Sequence, residues 1–254
     1  MLSPVLFLGD SFVEGLGPPE RRLPAQLDRL LPGHDVLNYG VGGFGLDQIL
    51  LQYREVRDQH PGATVLLGVL TGDLDRSVLR VRTGPKPYFR LARGQLELHG
   101  VPVPADGRAW LAAHPPELSS YFWAWLRRRL HVAAAGGDPL AVAHRREEKQ
   151  RLNARILEAL VGECRARGAP LAAVVFCSLG ELDRVRWRER FLLEQLGRLA
   201  VPVLNSKEVL AAAAAAQGRA VRDFYDPEHQ HLTAEGNRVV AAALAARWGE
   251  LTRP

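Results

Sequence analysis

Residues 4–15 read PVLFLGDSFVEG, and this stretch decides the fold. The apolar run at 4–8 predicts a buried strand, and the glycines after it predict a tight turn that carries Ser11. A serine in the turn after such a strand stands at the carboxyl edge of the sheet, where open α/β folds bind ligands. Its hydroxyl is an effective nucleophile only if a neighbouring base takes its proton. Ser11 is therefore a candidate nucleophile, although a serine that merely caps a turn gives the same pattern.

Short apolar runs alternate with helical patterns along most of the chain, which is typical of a parallel sheet with helices on both faces. The predicted strands are 4–8, 36–39, 64–70, 171–176 and 201–204. The predicted helices are 20–31, 46–59, 140–167, 183–199, 211–216 and 233–248. With 254 residues, we expect one domain over 1–254 that contains a single sizeable insertion.

The insertion is predicted at about 79–137, after strand three, where the alternation stops. Runs at 88–92 and 95–99, joined at Arg93-Gly94, predict a β-hairpin, and an aromatic-rich helix is predicted at 119–134. We expect the insertion to lie over the carboxyl end of the sheet and to cap the active site. Its aromatic side chains are expected either to line a pocket or, for most of them, to pack in helix cores: Tyr88, Phe89, Trp110, Tyr121, Phe122, Trp123 and Trp125.

The composition argues against several classes of protein. The net charge of +5 comes almost entirely from arginine, since there are only three lysines. No zinc-finger spacing, RNP pattern or aromatic-interleaved basic stripe accompanies that charge, so we expect no nucleic-acid partner. The arginine runs 127–129 and 145–146 are interpreted as solvated helix faces, with an acidic partner or a membrane surface as the alternative. No apolar run is long enough to predict a membrane span, and no secretory signal precedes strand one, so a cytoplasmic location is the default expectation.

Two further segments carry candidate chemistry. Residues 38–43 read NYGVGG, and such glycines let backbone N–H groups approach a ligand, as an oxyanion hole requires, although a plain turn is equally compatible. Residues 226–237 read DPEHQHLTAEGN and place histidines and carboxylates before the last helix. No third ligand cluster matches the two histidines, so we expect neither a metal nor a cofactor. Cys164 and Cys177 are expected to be buried fillers rather than a disulfide or a metal site.

Together these segments resemble the SGNH (GDSL-like) hydrolase family. That family carries a Gly-Asp-Ser block at strand one, a glycine block after strand two, a Gly-x-Asn-Asp block after strand three and an Asp-x-x-His block near the C-terminus. All four places are occupied in order over residues 6–240. The resemblance implies a three-layer α/β/α fold around a five-stranded parallel sheet of flavodoxin-like order. It also implies that Ser11 is the nucleophile, that His231 is the base, and that the N–H groups of Ser11 and Gly43 are the oxyanion donors. The side chain of His229 is expected to point away from Ser11.

The sequence departs from the family pattern at two positions. Asp73 stands where the family has an oxyanion-stabilising Asn, and an ionised carboxylate cannot donate a hydrogen bond. Asp73 would contribute to the oxyanion hole only if its carboxyl is protonated. The alternative is that its side chain turns away from the hole, towards Arg76. The second departure concerns the acid that orients His231: Glu228 stands three residues before it in place of Asp and is the favoured candidate, and Asp226 is the alternative. A dyad of Ser11 and His231 alone is the third option.

The resemblance implies a serine esterase or acyl hydrolase, with acyl transfer to an alcohol as a variant. A small-molecule, glycan or lipid ester is the expected substrate, while the acyl and alcohol parts and the oligomeric state are not indicated. The departures at Asp73 and Glu228 keep a second interpretation open, a catalytically weakened protein of the same fold that binds a ligand. A flavodoxin-like nucleotide-binding domain is a more remote alternative.

Overall fold

The computed structural model describes residues 2–115, 120, 122–123, 125–126, 129–130, 141 and 143–253. Its seven strands are β1 Ser3–Gly9, β2 His34–Gly40, β3 Thr64–Leu70, β4 Tyr88–Ala92, β5 Gln95–His99, β6 Leu171–Phe176 and β7 Val203–Asn205. Five of them form a parallel sheet in the order β2-β1-β3-β6-β7, which is the flavodoxin-like order. The fold class predicted from the sequence is confirmed.

Helices cover both faces of this sheet. The α-helices of the described residues are α1 Ser11–Glu14, α2 Leu23–Leu30, α3 Leu46–Val56, α4 Asp73–Arg76, α5 Gly107–Ala113, α6 Arg146–Ala166, α7 Trp187–Arg198, α8 Ser206–Gln217, α9 Ala234–Ala246 and α10 Trp248–Leu251. One face of the sheet packs against α3, α6 and α7, and the other packs against α2, α8 and α9. Because the central strands are buried on both faces, their sequences are continuous apolar runs rather than alternating ones.

The observed boundaries differ from the predicted ones where proline intervenes. The first long helix begins at Leu23 rather than at residue 20, and Pro24 occupies its first turn, where the missing N–H costs no helical hydrogen bond. The last strand begins at Val203 rather than at residue 201, since Pro202 has no N–H to give to the ladder. The helix predicted at 140–167 begins at Arg146, and residues 131–140 and 142 lie outside the described ones.

The hairpin of the insertion forms at the predicted residues. Strands β4 and β5 pair antiparallel from Tyr88↔His99 to Ala92↔Gln95. Arg93 and Gly94 both have positive φ, 50° and 78°, as a two-residue hairpin turn of this hand requires. The hairpin packs on the outer helices: Phe89 is buried in the cluster with α3 and α6, and the Gly94 carbonyl accepts from Arg155 Nε at 3.0 Å.

Much of the helix predicted at 119–134, Tyr121 included, lies outside the described residues. Phe122, Trp123 and Trp125 are more than half exposed, so the expectation that most of the aromatic side chains pack in helix cores is wrong for these three. No described helix is both long and apolar enough to cross a membrane. Cys164 and Cys177 are buried free thiols, and burial raises the pKa of Cys164 to about 11.

Candidate active site

The turn after β1 is built around Asp10 and Ser11. The Asp10 side chain caps α1, with Oδ1 accepting from the Phe12 N–H at 2.9 Å. Ser11 is the first residue of that helix, at the carboxyl edge of the sheet. Gly9, two residues before Ser11, lets β1 pass close to α1 and β3, since a Cβ there would lie 2.3 Å from Val13 Cγ2 and 2.8 Å from the Gly68 carbonyl oxygen. The hydroxyl of Ser11 therefore faces the edge at which the parallel strands end.

His231 meets Ser11 across the length of the chain. Its Nε2 lies 2.8 Å from Ser11 Oγ, within hydrogen-bonding distance. The imidazole stacks on the Phe12 ring, with centroids 4.9 Å apart. Backbone hydrogen bonds fix the loop that carries it, including Asp226 N–H to the His231 carbonyl at 2.7 Å. The two ends of the sequence thus supply a hydroxyl and a base in contact.

The other ring nitrogen of His231 contacts a main-chain atom. Its Nδ1 lies 2.6 Å from the backbone carbonyl oxygen of His229. Among the hydrogen bonds of the described residues, neither Glu228 nor Asp226 reaches the ring, so the structure does not bring either predicted acid to His231. A carbonyl oxygen only accepts, so this contact requires the proton of a neutral imidazole to be on Nδ1.

Asp226 organises the loop instead. Its Oδ1 accepts from the backbone N–H groups of His229 at 2.8 Å and Glu228 at 2.9 Å, and it contacts His229 Nδ1 at 3.2 Å. These bonds lower the pKa of Asp226, with the His229 N–H as the largest cause. The turn also needs a positive φ of 59° at Gln230. Asp226 therefore shapes the turn that presents His231, while the exposed Glu228 lies at the rim of the cavity.

The glycine block after β2 lies beside the turn that carries Ser11. A Cβ at Gly42 would lie 3.9 Å from Ser11 Cβ, and Gly43 has a positive φ of 85° that glycine adopts without strain. No hydrogen bond from the N–H of Ser11 or Gly43 to another described group is found. Arg82 approaches the block closely, since its Nη1 would be 2.1 Å from a Cβ at Gly43.

The block after β3 differs from the family arrangement. The carboxylate of Asp73 turns inward and is fully buried, with Oδ2 accepting from the Leu70 N–H at 2.9 Å and Oδ1 contacting Arg76 Nη1 at 2.7 Å. Burial raises the pKa of Asp73 well above its ordinary value, the charge of Asp10 raises it further, and Arg76 opposes both. Of the two possibilities that the sequence left open for Asp73, the structure has the pairing with Arg76.

A cavity of about 460 Å³ opens in front of Ser11 and His231. Its volume is in the range of sites for small ligands. The lining residues are Ser11, Phe12, Leu70, Thr71, Gly72, Arg76, Ser178, Gly180, Glu181, Arg186, Arg188, Glu228, His229, Gln230 and His231. None of these lies between residues 79 and 137, so the capping role predicted for the insertion stays a prediction. Over the same described residues, no cluster of three or more His, Cys, Asp or Glu is placed to hold a metal ion.

The segment after β6 was missed by the sequence analysis. Ser178 and Glu181 line the cavity, and Glu181 is buried against the hydroxyl groups of Thr71 and Ser178. Arg188 lies 3.7 Å from Glu181 and is itself almost fully buried. The sequence did indicate that Ser178 and Glu181 lie near the site. Parallel strands end at one edge of the sheet, and these residues follow β6, the fourth strand of the sheet in chain order.

Comparisons with known proteins bear on the fold. Neither a protein-family model nor a curated protein matches the sequence. Several solved structures match over nearly the whole of both chains. A lipolytic protein of the G-D-S-L family from Veillonella parvula has 12% identity and a TM-score of 0.55, over 99% of this chain and 100% of that chain. The lipase/acylhydrolase from Enterococcus faecalis has 13% identity and a TM-score of 0.53, over 100% and 98%. This chain has the GDSL (SGNH) hydrolase fold.

An acetyl xylan esterase, AlAXEase, has a similar structure, with 12% identity and a TM-score of 0.56, over 96% of this chain and 98% of that one. At these identities the likeness establishes the SGNH fold alone. The chemistry of this chain has to be argued from its own residues.

One glycine supports the turn that carries Ser11 in this SGNH fold, and we expect Gly40→Ala to displace that turn. An added Cβ would lie 2.0 Å from the Glu14 backbone N and 2.5 Å from the Val13 carbonyl carbon, and backbone atoms of α1 cannot rotate away. A misplacement of about 1 Å can cost roughly 100-fold in rate, so we expect the ester hydrolysis proposed below, measured as kcat/KM for a short ester, to fall by about that factor.

The matched control for Gly40→Ala is Gly162→Ala on α6. A Cβ there meets open space, and alanine favours a helix over glycine, so activity should be unchanged and Tm unchanged or raised. Wild-type kcat/KM in Gly40→Ala would contradict the tight contact between β2 and α1.

Proposed function

We propose that this protein is a serine ester hydrolase in which Ser11 is the nucleophile and His231 the general base. The observation that supports this most directly is the 2.8 Å contact between Ser11 Oγ and His231 Nε2 in front of a cavity. A serine hydroxyl is a weak nucleophile unless an adjacent base can accept its proton. The contact supplies such a base.

The tautomer of His231 fits this role. Since Nδ1 donates to the His229 carbonyl, the neutral ring has its lone pair on Nε2, which faces Ser11. In a Ser-His-Asp triad, a carboxylate fixes the same tautomer and stabilises the imidazolium. The carbonyl of His229 fixes the tautomer in place of a carboxylate. Because it is a dipole and carries no full charge, it stabilises the imidazolium less than a carboxylate does. We therefore assign orientation of His231 to this carbonyl, rather than to Glu228 or Asp226.

The reaction follows in two steps. Ser11 Oγ attacks the ester carbonyl carbon while its proton moves to His231 Nε2, and the carbonyl electron pair moves onto oxygen. Collapse of this intermediate expels the alcohol, which takes the proton from His231, and leaves an acyl group on Ser11. Water then repeats the sequence and releases the acid. An alcohol in place of water would give acyl transfer. The N–H groups of Ser11 and Gly43 are the proposed backbone donors to the oxyanion.

The cavity suits the ester of a small molecule or one end of a larger glycan or lipid ester. Its wall is mixed: Phe12 and Leu70 are apolar, whereas Thr71, Ser178 and Glu181 offer polar groups. The acyl group would lie near Ser11, and the alcohol part would extend towards the polar wall. No metal or cofactor has a part in these steps.

The competing proposal is a weakened SGNH-fold protein that binds a ligand without turnover. Two observations favour it: His231 has no described carboxylate partner, and Asp73 does not present a donor to the cavity. The two proposals differ in whether Ser11 reacts.

A serine-directed fluorophosphonate probe separates them. We expect stoichiometric modification of the wild type within minutes, with the adduct on Ser11 by peptide mass spectrometry and none in Ser11→Ala. Ser178 lines the same cavity and is the internal control, because no histidine contact to it is found among the described residues, and it should stay unmodified. No labelling of folded wild-type protein would leave the binding proposal.

A further inference from the structure

Arg76 holds a position beside the nucleophile that the proposed mechanism has not yet used. It ends the short helix α4, and its Nη1 contacts Asp10 Oδ2 at 2.6 Å, Asp73 Oδ1 at 2.7 Å and the Phe44 carbonyl at 3.2 Å. Asp10 Oδ2 is also the oxygen that lies 3.5 Å from Ser11 Oγ. One carboxylate oxygen therefore joins the guanidinium to the nucleophile turn.

Burial differs among the three charged groups of this cluster. Asp10 and Asp73 are fully buried, whereas the Arg76 side chain is 13% exposed and lines the cavity with Ser11. Of the three charged residues in the cluster, Arg76 is therefore the one that lines the cavity. Because three acceptors hold Nη1 in place, the cation is positioned before substrate arrives and needs no reorganisation during the reaction.

We propose that Arg76 stabilises the oxyanion of the tetrahedral intermediate, together with the N–H groups of Ser11 and Gly43. This rests on the proposed hydrolase function and deepens it. When Ser11 Oγ attacks, the carbonyl electron pair moves onto oxygen and the hydroxyl proton moves to His231. Arg76 keeps its proton throughout and attracts the new negative charge, which is absent in the ground state, so its effect falls on the rate of the chemical step.

The charge of the cluster is consistent with this role. One guanidinium cannot neutralise two ionised carboxylates, and a cluster with a net negative charge would repel an oxyanion. Burial and the charge of Asp10 raise the pKa of Asp73, which favours a proton on that carboxyl. A proton on Asp73 would leave Asp10 and Arg76 in balance, and Arg76 is the member of that pair that lines the cavity.

Arg76→Met tests the proposal, with kcat and KM measured separately on a short p-nitrophenyl ester. We expect kcat to fall by about 100-fold or more with KM within about 3-fold, as for loss of an oxyanion donor. Arg76→Lys keeps a cation of different shape and should retain part of kcat. Arg238→Met, at an exposed position on α9, is the control and should match the wild type.

Other results would overturn the proposal. An unchanged kcat in folded Arg76→Met excludes oxyanion stabilisation, and a rise in KM alone would make Arg76 a ground-state binding residue. If Arg76→Met does not fold, Arg76→Lys and Arg76→Ala take its place. Arg76→Lys is read by the same split between kcat and KM, and millimolar guanidinium should restore part of the kcat that Arg76→Ala loses. An unchanged kcat in Arg76→Lys, with no rescue of Arg76→Ala by guanidinium, overturns the proposal. Failure of the hydrolase function itself is distinguishable, because wild-type protein would then show neither turnover nor labelling of Ser11.

Discussion

Ser11→Ala and His231→Ala are each expected to reduce kcat for a short p-nitrophenyl ester by about 10⁴- to 10⁶-fold. Ser11 Oγ and His231 Nε2 are 2.8 Å apart, and each group is ineffective without the other. The double variant should be hardly worse than either single one, because the two residues act as a unit. Circular dichroism and Tm should stay close to wild type, since both side chains are only partly buried.

Two neighbouring substitutions are the controls for this pair. His229→Ala removes a ring whose hydrogen bond among the described side chains is to Asp226, and it keeps the backbone carbonyl that contacts His231 Nδ1. Glu228→Gln removes a carboxylate that makes no described contact with His231. Both should retain kcat within a few-fold. A loss in His229→Ala equal to that in His231→Ala would mean that the wrong histidine was chosen. A loss of 100-fold in Glu228→Gln would restore Glu228 as the orienting acid.

The sequence was sufficient to predict the sheet and its hairpin because both depend on patterns of residue type. The short continuous apolar runs at 64–70 and 171–176 are typical of strands buried on both faces, and glycine after arginine at 93–94 suits a turn with two positive φ angles. The pairing of Ser11 with His231 followed from the family resemblance of the two blocks at opposite ends of the chain.

The rest of the candidate site depends on atoms and directions that residue types do not encode. The partner of His231 Nδ1 is the main-chain carbonyl of His229, and every residue has a carbonyl. The orientation of the Asp73 side chain depends on whether the Leu70 N–H and Arg76 can both reach its carboxylate. That is decided by the backbone geometry of the turn after β3, which residue types alone do not give. The hairpin was predicted at the right residues, but its amphipathic pattern does not state which face of the domain it covers.

Asp75, the residue before Arg76 on α4, belongs to a second buried charge cluster. We expect Asp75→Asn to destabilise the fold by about 3–5 kcal/mol. Asp75 is fully buried and lies 2.7 Å from Lys149 Nζ on α6 and 2.9 Å from Arg188 Nη2 on α7. An amide there removes the anion that Lys149 and Arg188 share, and buried charges are costly when a partner is removed. At roughly 2–4 °C per kcal/mol for a chain of this size, Tm should fall by about 10 °C.

Asp58→Asn is the matched control, because its pair with Arg167 lies at the surface and exposed pairs contribute little. Its Tm should stay within a degree or two of wild type. The Asp75 cluster also bears on the site, since Arg188 lines the cavity and Asp75 follows Asp73 on the same short helix. Asp75→Asn should therefore lower kcat at temperatures well below its own Tm, as the turn carrying Arg76 loosens. A Tm equal to that of Asp58→Asn would show that the ion pairs of Asp75 contribute little to the stability of the fold.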